Sequence, residues 1–137
     1  MKRKDFIQTI GAVGLATTVS GSLLAAPLTK KGKQIYFHYL LFWLKPSLTE
    51  QEIEDFKQFF EGLKKLPYVK NLRYGGPAAS TPRPVMDNSF SYNASMEFDS
   101  LEDLEAYGKL PGHLALVAKY KPYFDRMMVH DSVYEVK

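Results

Sequence analysis

Cysteine is absent from all 137 residues, and that one absence removes several classes of protein together. It excludes a disulfide scaffold, a thiolate metal site, a cysteine nucleophile and a lipid-modified cysteine anchor. A glycine-rich phosphate cradle, a serine nucleophile elbow and a Walker motif are also lacking, so nucleotide-dependent chemistry is not expected. Three histidines without cysteine give no metal-ligand spacing, and neither a metal nor another cofactor is expected. Charge imbalance is small: 18 Lys+Arg stand against 15 Asp+Glu, a net of +3. What the chain has in quantity is aromatic, with nine Phe, nine Tyr and one Trp. An apolar fraction of 45% is too high for a disordered chain, and the length fits a single core.

The first 26 residues differ from the rest. Lys2, Arg3 and Lys4 form a cationic start, and Ile10 to Ala26 carries no charge, only small and moderately apolar residues. This is the layout of a cleaved signal peptide, too short and too rich in Gly, Ser and Thr for a membrane span. Arg3-Lys4-Asp5-Phe6-Ile7-Gln8 resembles a twin-arginine export signal with Lys4 in the place of the second arginine. The expectation is export to the periplasm or the extracellular space, with cleavage near Ala25 or Ala26 and no stable membrane anchor afterwards. Three basic residues and one acidic residue leave with that segment, so 15 basic and 14 acidic residues remain. The apparent basicity is then mostly an export address, and the interspersed charges form no stripe that nucleic acid requires.

Residues 27–34 read as a polar lead-in and 35–137 as the domain. Ile35 to Leu44 is rich in aromatic and aliphatic residues and predicts a strand apolar on both faces. Thr49 and Glu52 form a capping box, and Ile53, Phe56, Phe60 and Leu63 recur at helical spacing with Phe59 and Leu66 beside them. A helix over 49–66 follows, closed by Pro67. Val69 to Gly75 predicts a second strand, with a long Gly/Pro/Ser loop behind it. From Phe90 to Phe98 apolar and polar residues alternate, as in a strand with one buried face. Ser100 caps a helix carrying Leu104 and Tyr107; Pro111-Gly112 breaks it, helix resumes from His113 to Tyr120, and Met127 to Val136 makes the last strand. The order β-α-β-β-α-β is that of an α+β, ferredoxin-like fold, an antiparallel sheet with helices on one face. The uncovered face of the first strand then calls for a second copy, hence a homodimer.

Tyr107-Gly108-Lys109-Leu110-Pro111-Gly112-His113, preceded by Phe98-Asp99-Ser100-Leu101-Glu102-Asp103-Leu104, resembles the Tyr-x-x-His-Pro-x-His signature of the stress-responsive A/B barrel (Dabb) proteins. His38 early in the first strand and the helix-Pro-strand spacing of Leu66 to Gly75 are two further points of likeness, and together they span residues 35–136. The resemblance implies a ferredoxin-like monomer whose sheet pairs with a second subunit as a dimeric α/β barrel, and a link to stress responses. It also implies that His113 corresponds to the acid/base histidine of a plant polyketide cyclase, beside the motif tyrosine, Tyr107. Leu110 stands where the family often has a first histidine, so a histidine pair there is not expected. Phe59 stands where the cyclase has a helix tyrosine, and cyclase activity itself is not carried over.

The residues themselves point the same way. An imidazole titrates near neutral pH, and His113 starts a helix whose positive end would favour the neutral base. The plainer role for it is a helix-start histidine bonded to backbone or water. Tyr107 lies on the apolar side of its helix and could position or protonate an enolate oxygen, or be a core tyrosine with a bonded hydroxyl. His38 shares a strand face with Leu40, Phe42 and Leu44 and is otherwise a core histidine. His130 and Asp131 are neighbours on a strand, so they point to opposite faces and form no local pair. Arg83 reads as a solvated loop charge. The expected function is therefore cofactor-independent acid/base work (cyclisation, isomerisation or elimination) on a small apolar or aromatic ligand, with His113, Tyr107 and His38 as catalytic residues. A non-catalytic dimeric stress or assembly module is the alternative. A cofactor-free monooxygenase-like barrel is a second, by analogy of fold alone.

Overall fold

Alternation decides the sheet. Along β1 (Lys33–Leu44) the even-numbered residues Leu40 and Phe42 are buried while Phe37, Tyr39, Leu41 and Trp43 are half-buried on the opposite face. β3 (Tyr92–Phe98) pairs antiparallel with β1, Leu40 opposite Ala94 and His38 opposite Met96, so Ala94, Met96 and Phe98 extend the same buried face. β2 (Lys70–Gly75) pairs antiparallel with β3, and β4 (Phe124–Val136) closes the other edge, giving the order β2-β3-β1-β4. The computed structural model describes residues 32–137, and the sheet and its helices pack together within Gln34–Val136. The signal-peptide reading of 1–26 falls outside the described residues.

The helices lie on the Leu40/Phe42 face. α1 (Glu50–Lys64) begins with the reciprocal cap: the Glu52 amide donates to Thr49 Oγ1 at 3.1 Å and the Thr49 amide to Glu52 Oε1 at 2.8 Å. Its Phe56, Phe59, Phe60 and Leu63 are all but fully buried. Phe42 is their socket, with ring centroids 5.5, 5.8 and 5.6 Å from Phe56, Phe59 and Phe60, and 5.2 Å from Phe124. α1 stops at Lys64, two residues short of the predicted end, because Lys65 and Leu66 turn back in tighter bonds to Gly62 and Leu63. β2 carries a bulge between Lys70 and Arg73, with Asn71 at φ 52°, a left-handed conformation that asparagine tolerates.

α2 (Leu101–Lys109) is capped by Ser100, whose hydroxyl accepts from the Asp103 amide at 3.0 Å. The sequence suggested that helix resumes at His113. It resumes at Pro111, and α3 runs Pro111–Tyr120. Proline's missing N–H is no loss at a first helical position, and the residue before it is pushed to extended backbone. Leu110 accordingly sits at φ −61°, ψ 134°, serving as the end of α2 and the cap of α3. The strands also begin differently from expectation, β3 at Tyr92 and β4 at Phe124. No helix among the described residues is long and apolar enough to cross a membrane.

Candidate active site

The Leu110-Pro111 corner sets the site. It folds the last turn of α2 against the first turn of α3, and so brings Tyr107 and His113 together with ring centroids 4.4 Å apart. His113 Nδ1 lies 3.2 Å from the Gly108 carbonyl oxygen. A carbonyl only accepts, so Nδ1 carries the proton and Nε2 is the nitrogen left for chemistry. From the sheet, His38 stands edge-on to Tyr107, 5.9 Å between centroids, with Phe98 5.0 Å from the tyrosine ring on its flank. The three residues expected at the site, from strand, helix and helix start, thus form one contiguous ring cluster.

Tyr107 is the least ordinary member. It is 2% exposed, and its hydroxyl is buried with no hydrogen-bond partner, the one such side-chain polar atom among the described residues. Burial pushes its ionisation far above the ordinary phenol value, so it stays a neutral O–H donor. A buried polar group without a partner costs about 1–3 kcal/mol, and such a cost calls for an explanation.

His113 titrates below the ordinary histidine value. Burial is the leading cause; the Gly108 hydrogen bond opposes it, and the electrostatic influence of the neighbouring His38 adds to burial. The sequence suggests the helix dipole as the cause, whereas desolvation on burial leads. A lowered value favours the neutral imidazole in the folded chain. Between the folded value and the ordinary 6.5, the unfolded state binds the extra proton, so stability rises with pH through that window. His113 therefore contributes fully above pH 6.5 and its contribution is lost as pH falls through the folded value. Denaturant unfolding at several pH values is expected to show this loss, and His113→Phe to flatten it. An unchanged slope in the variant contradicts the assignment. The lowered carboxylates, Glu61 and Asp87, act at still lower pH.

One residue of the cluster was missed. Asp131 on β4 reaches across to His38, its Oδ1 2.5 Å from Nδ1. Alternation places Asp131 and His130 on opposite faces of the strand, and only the strand order, β4 beside β1, supplies the partner of Asp131. Arg83 is exposed in the β2–β3 loop, 3.5 Å from the Thr81 carbonyl oxygen, and takes no part. Among the described residues no three metal-ligating side chains cluster.

Structures of similar fold exist. A Dabb family protein with a ferredoxin-like fold from Mesorhizobium loti superposes with a TM-score of 0.60 at 22% identity, covering 73% of this chain and 96% of that one. A hydroxynitrile lyase from Passiflora edulis gives 0.60 at 18% identity, covering 75% and 94%. A dimeric ferredoxin-like protein of unknown function from Thermobifida fusca gives 0.56 at 19% identity, covering 77% and 92%. No protein of curated function matches the chain. The family model of the stress responsive A/B barrel domain matches residues 37–134, from the first strand through the last and across all three ring-cluster residues; the chain belongs to that family.

Proposed function

We propose that this chain is an exported, dimeric stress responsive A/B barrel protein that binds a small apolar or aromatic ligand against the His38–Tyr107–His113 cluster. Its chemistry is proton transfer without a cofactor, of the cyclisation, isomerisation or elimination type. The observation that carries this reading is the buried, partnerless Tyr107 hydroxyl between two imidazoles. A ligand oxygen is the partner that hydroxyl lacks. As charge develops on that oxygen, the neutral phenol donates to it, while His113 Nε2 takes the proton from the neighbouring atom. Phe98, 5.0 Å from the Tyr107 ring, is an apolar neighbour that suits a ligand itself largely apolar. A relative of the same fold is a hydroxynitrile lyase, and elimination of that kind falls within the proposed class.

The dimer rests on the sheet face away from the helices. Phe37, Tyr39, Leu41 and Trp43 are only half-buried there, Tyr134 packs on Phe37 at 5.5 Å, and Arg126 lies 4.1 Å over the Trp43 ring. A second copy laid on this face removes those rings from water, as the dimeric state of the Thermobifida fusca relative supports. Export rests on the layout of residues 1–26; an unprocessed chain in cytosolic extract contradicts it.

The test is calorimetric titration of the full chain, and of His113→Ala, with a hydroxyacetophenone and with polyketide-like aromatics, alongside sedimentation. Saturable binding weakened about tenfold in the variant is expected, roughly the 1.4 kcal/mol of one good hydrogen bond. Absence of saturable binding in the parent chain overturns the ligand reading and leaves a non-catalytic dimeric module. A stable monomer at micromolar concentration overturns the dimer.

A further inference from the structure

Asp131 has no place in the proton transfer just described, yet it makes the shortest contact to any member of the cluster. Its Oδ1 lies 2.5 Å from His38 Nδ1, across two strands and 93 positions of sequence. The two ends of that contact differ in surroundings. The His38 side chain is 13% exposed, set between Phe98 and Tyr107, whereas the Asp131 side chain is 52% exposed. A carboxylate oxygen is an acceptor in a contact of this kind. Nδ1 must then be the protonated nitrogen of His38, whether the ring is neutral or charged. His113 shows the same arrangement with a different acceptor, its Nδ1 on the Gly108 carbonyl oxygen at 3.2 Å. Both imidazoles flanking Tyr107 therefore have Nδ1 tied to a fixed acceptor and Nε2 left over.

We propose that Asp131 is a positioning residue: it locks His38 in the Nδ1–H form so that Nε2, like that of His113, is available to a ligand held at Tyr107. The site then offers two imidazole nitrogens on either side of one hydroxyl donor. That arrangement suits a ligand with two polar atoms near its reacting carbon, such as a hydroxy-carbonyl compound, rather than a hydrocarbon. A free histidine in water prefers the Nε2–H tautomer, so without the carboxylate the ring would present a donor where an acceptor is required. The anchor is built into the sheet, since β1 and β4 are hydrogen-bonded neighbours, and needs no ligand to form.

The inference rests on the acid/base reading of the cluster, but its test needs no substrate, so each can fail without the other. The ring nitrogens of the isotope-labelled full chain are read by long-range proton–nitrogen NMR at a pH where histidines are neutral. The Nδ1–H pattern is expected for His38, lost to the Nε2–H pattern in Asp131→Ala while His113 keeps its own. Retention in Asp131→Asn, whose amide oxygen still accepts, supports the anchor; loss in both variants supports it too and assigns the role to the charge. An Nε2–H pattern for His38 in the parent chain, or the same pattern in the parent and Asp131→Ala, overturns it.

Discussion

Replacing Phe42 with alanine is expected to cost about 3–5 kcal/mol of unfolding free energy, the range for truncating a buried phenylalanine. Phe42 is fully buried, and four phenylalanine rings from α1 and the start of β4 stand 5.2–5.8 Å from it, mostly edge to face. Two terms add. The ring loses its transfer out of water, and its neighbours cannot collapse into the space, because each is itself held by others: Phe56 by Phe60 at 5.3 Å, Phe59 by Tyr120 at 5.4 Å. A domain with a total stability of about 5–15 kcal/mol loses much of it at one position. Urea unfolding measures the loss directly. A change below about 1 kcal/mol contradicts the view that this socket holds α1 to the sheet.

Tyr107→Phe runs in the opposite direction. The substitution keeps the ring that packs on Phe98, His38 and His113 and deletes only a hydroxyl that is buried and bonded to nothing. Removing an unsatisfied buried polar group recovers its desolvation, so the variant is expected to be more stable by about 1–3 kcal/mol. It is also expected to lose ligand binding, because that hydroxyl is the donor the ligand would meet. A gain in stability coupled to a loss of function marks a residue kept for its chemistry. Destabilisation of similar size contradicts this, since the hydroxyl must then be bonded in the folded chain.

The elements set by local signals were legible in the sequence. The Thr49 cap and the apolar spacing of α1 involve residues three or four apart, and the helix falls within two residues of its expected span. Alternation likewise gave the buried face of β3 and set His38 beside Leu40 and Phe42. Where alternation fails, the strand boundary is hidden in the sequence. Phe124 packs on Phe42 while Arg126 lies over Trp43 on the other side of the sheet, so the period breaks between them and the true start of β4 is hidden. Pro111 is ambiguous in a sequence, because one residue both ends a helix and starts the next. The family resemblance carried His113 and Tyr107, and the structure set them 4.4 Å apart. Asp131 was beyond reach: its partner is 93 residues away and depends on the register of two strands that no local pattern fixes.

A ligand site at the Tyr107 cluster, with His113 as its neutral base, has a direct spectroscopic consequence. The His113 ring signals of the full chain can be followed by NMR from acid to mildly alkaline pH, with and without a hydroxyacetophenone. The expected midpoint lies below the ordinary 6.5 in the free chain, with a further displacement when the ligand occupies the site, absent in Tyr107→Phe. A midpoint at the ordinary value that no aromatic ligand moves would refute both the site and its base.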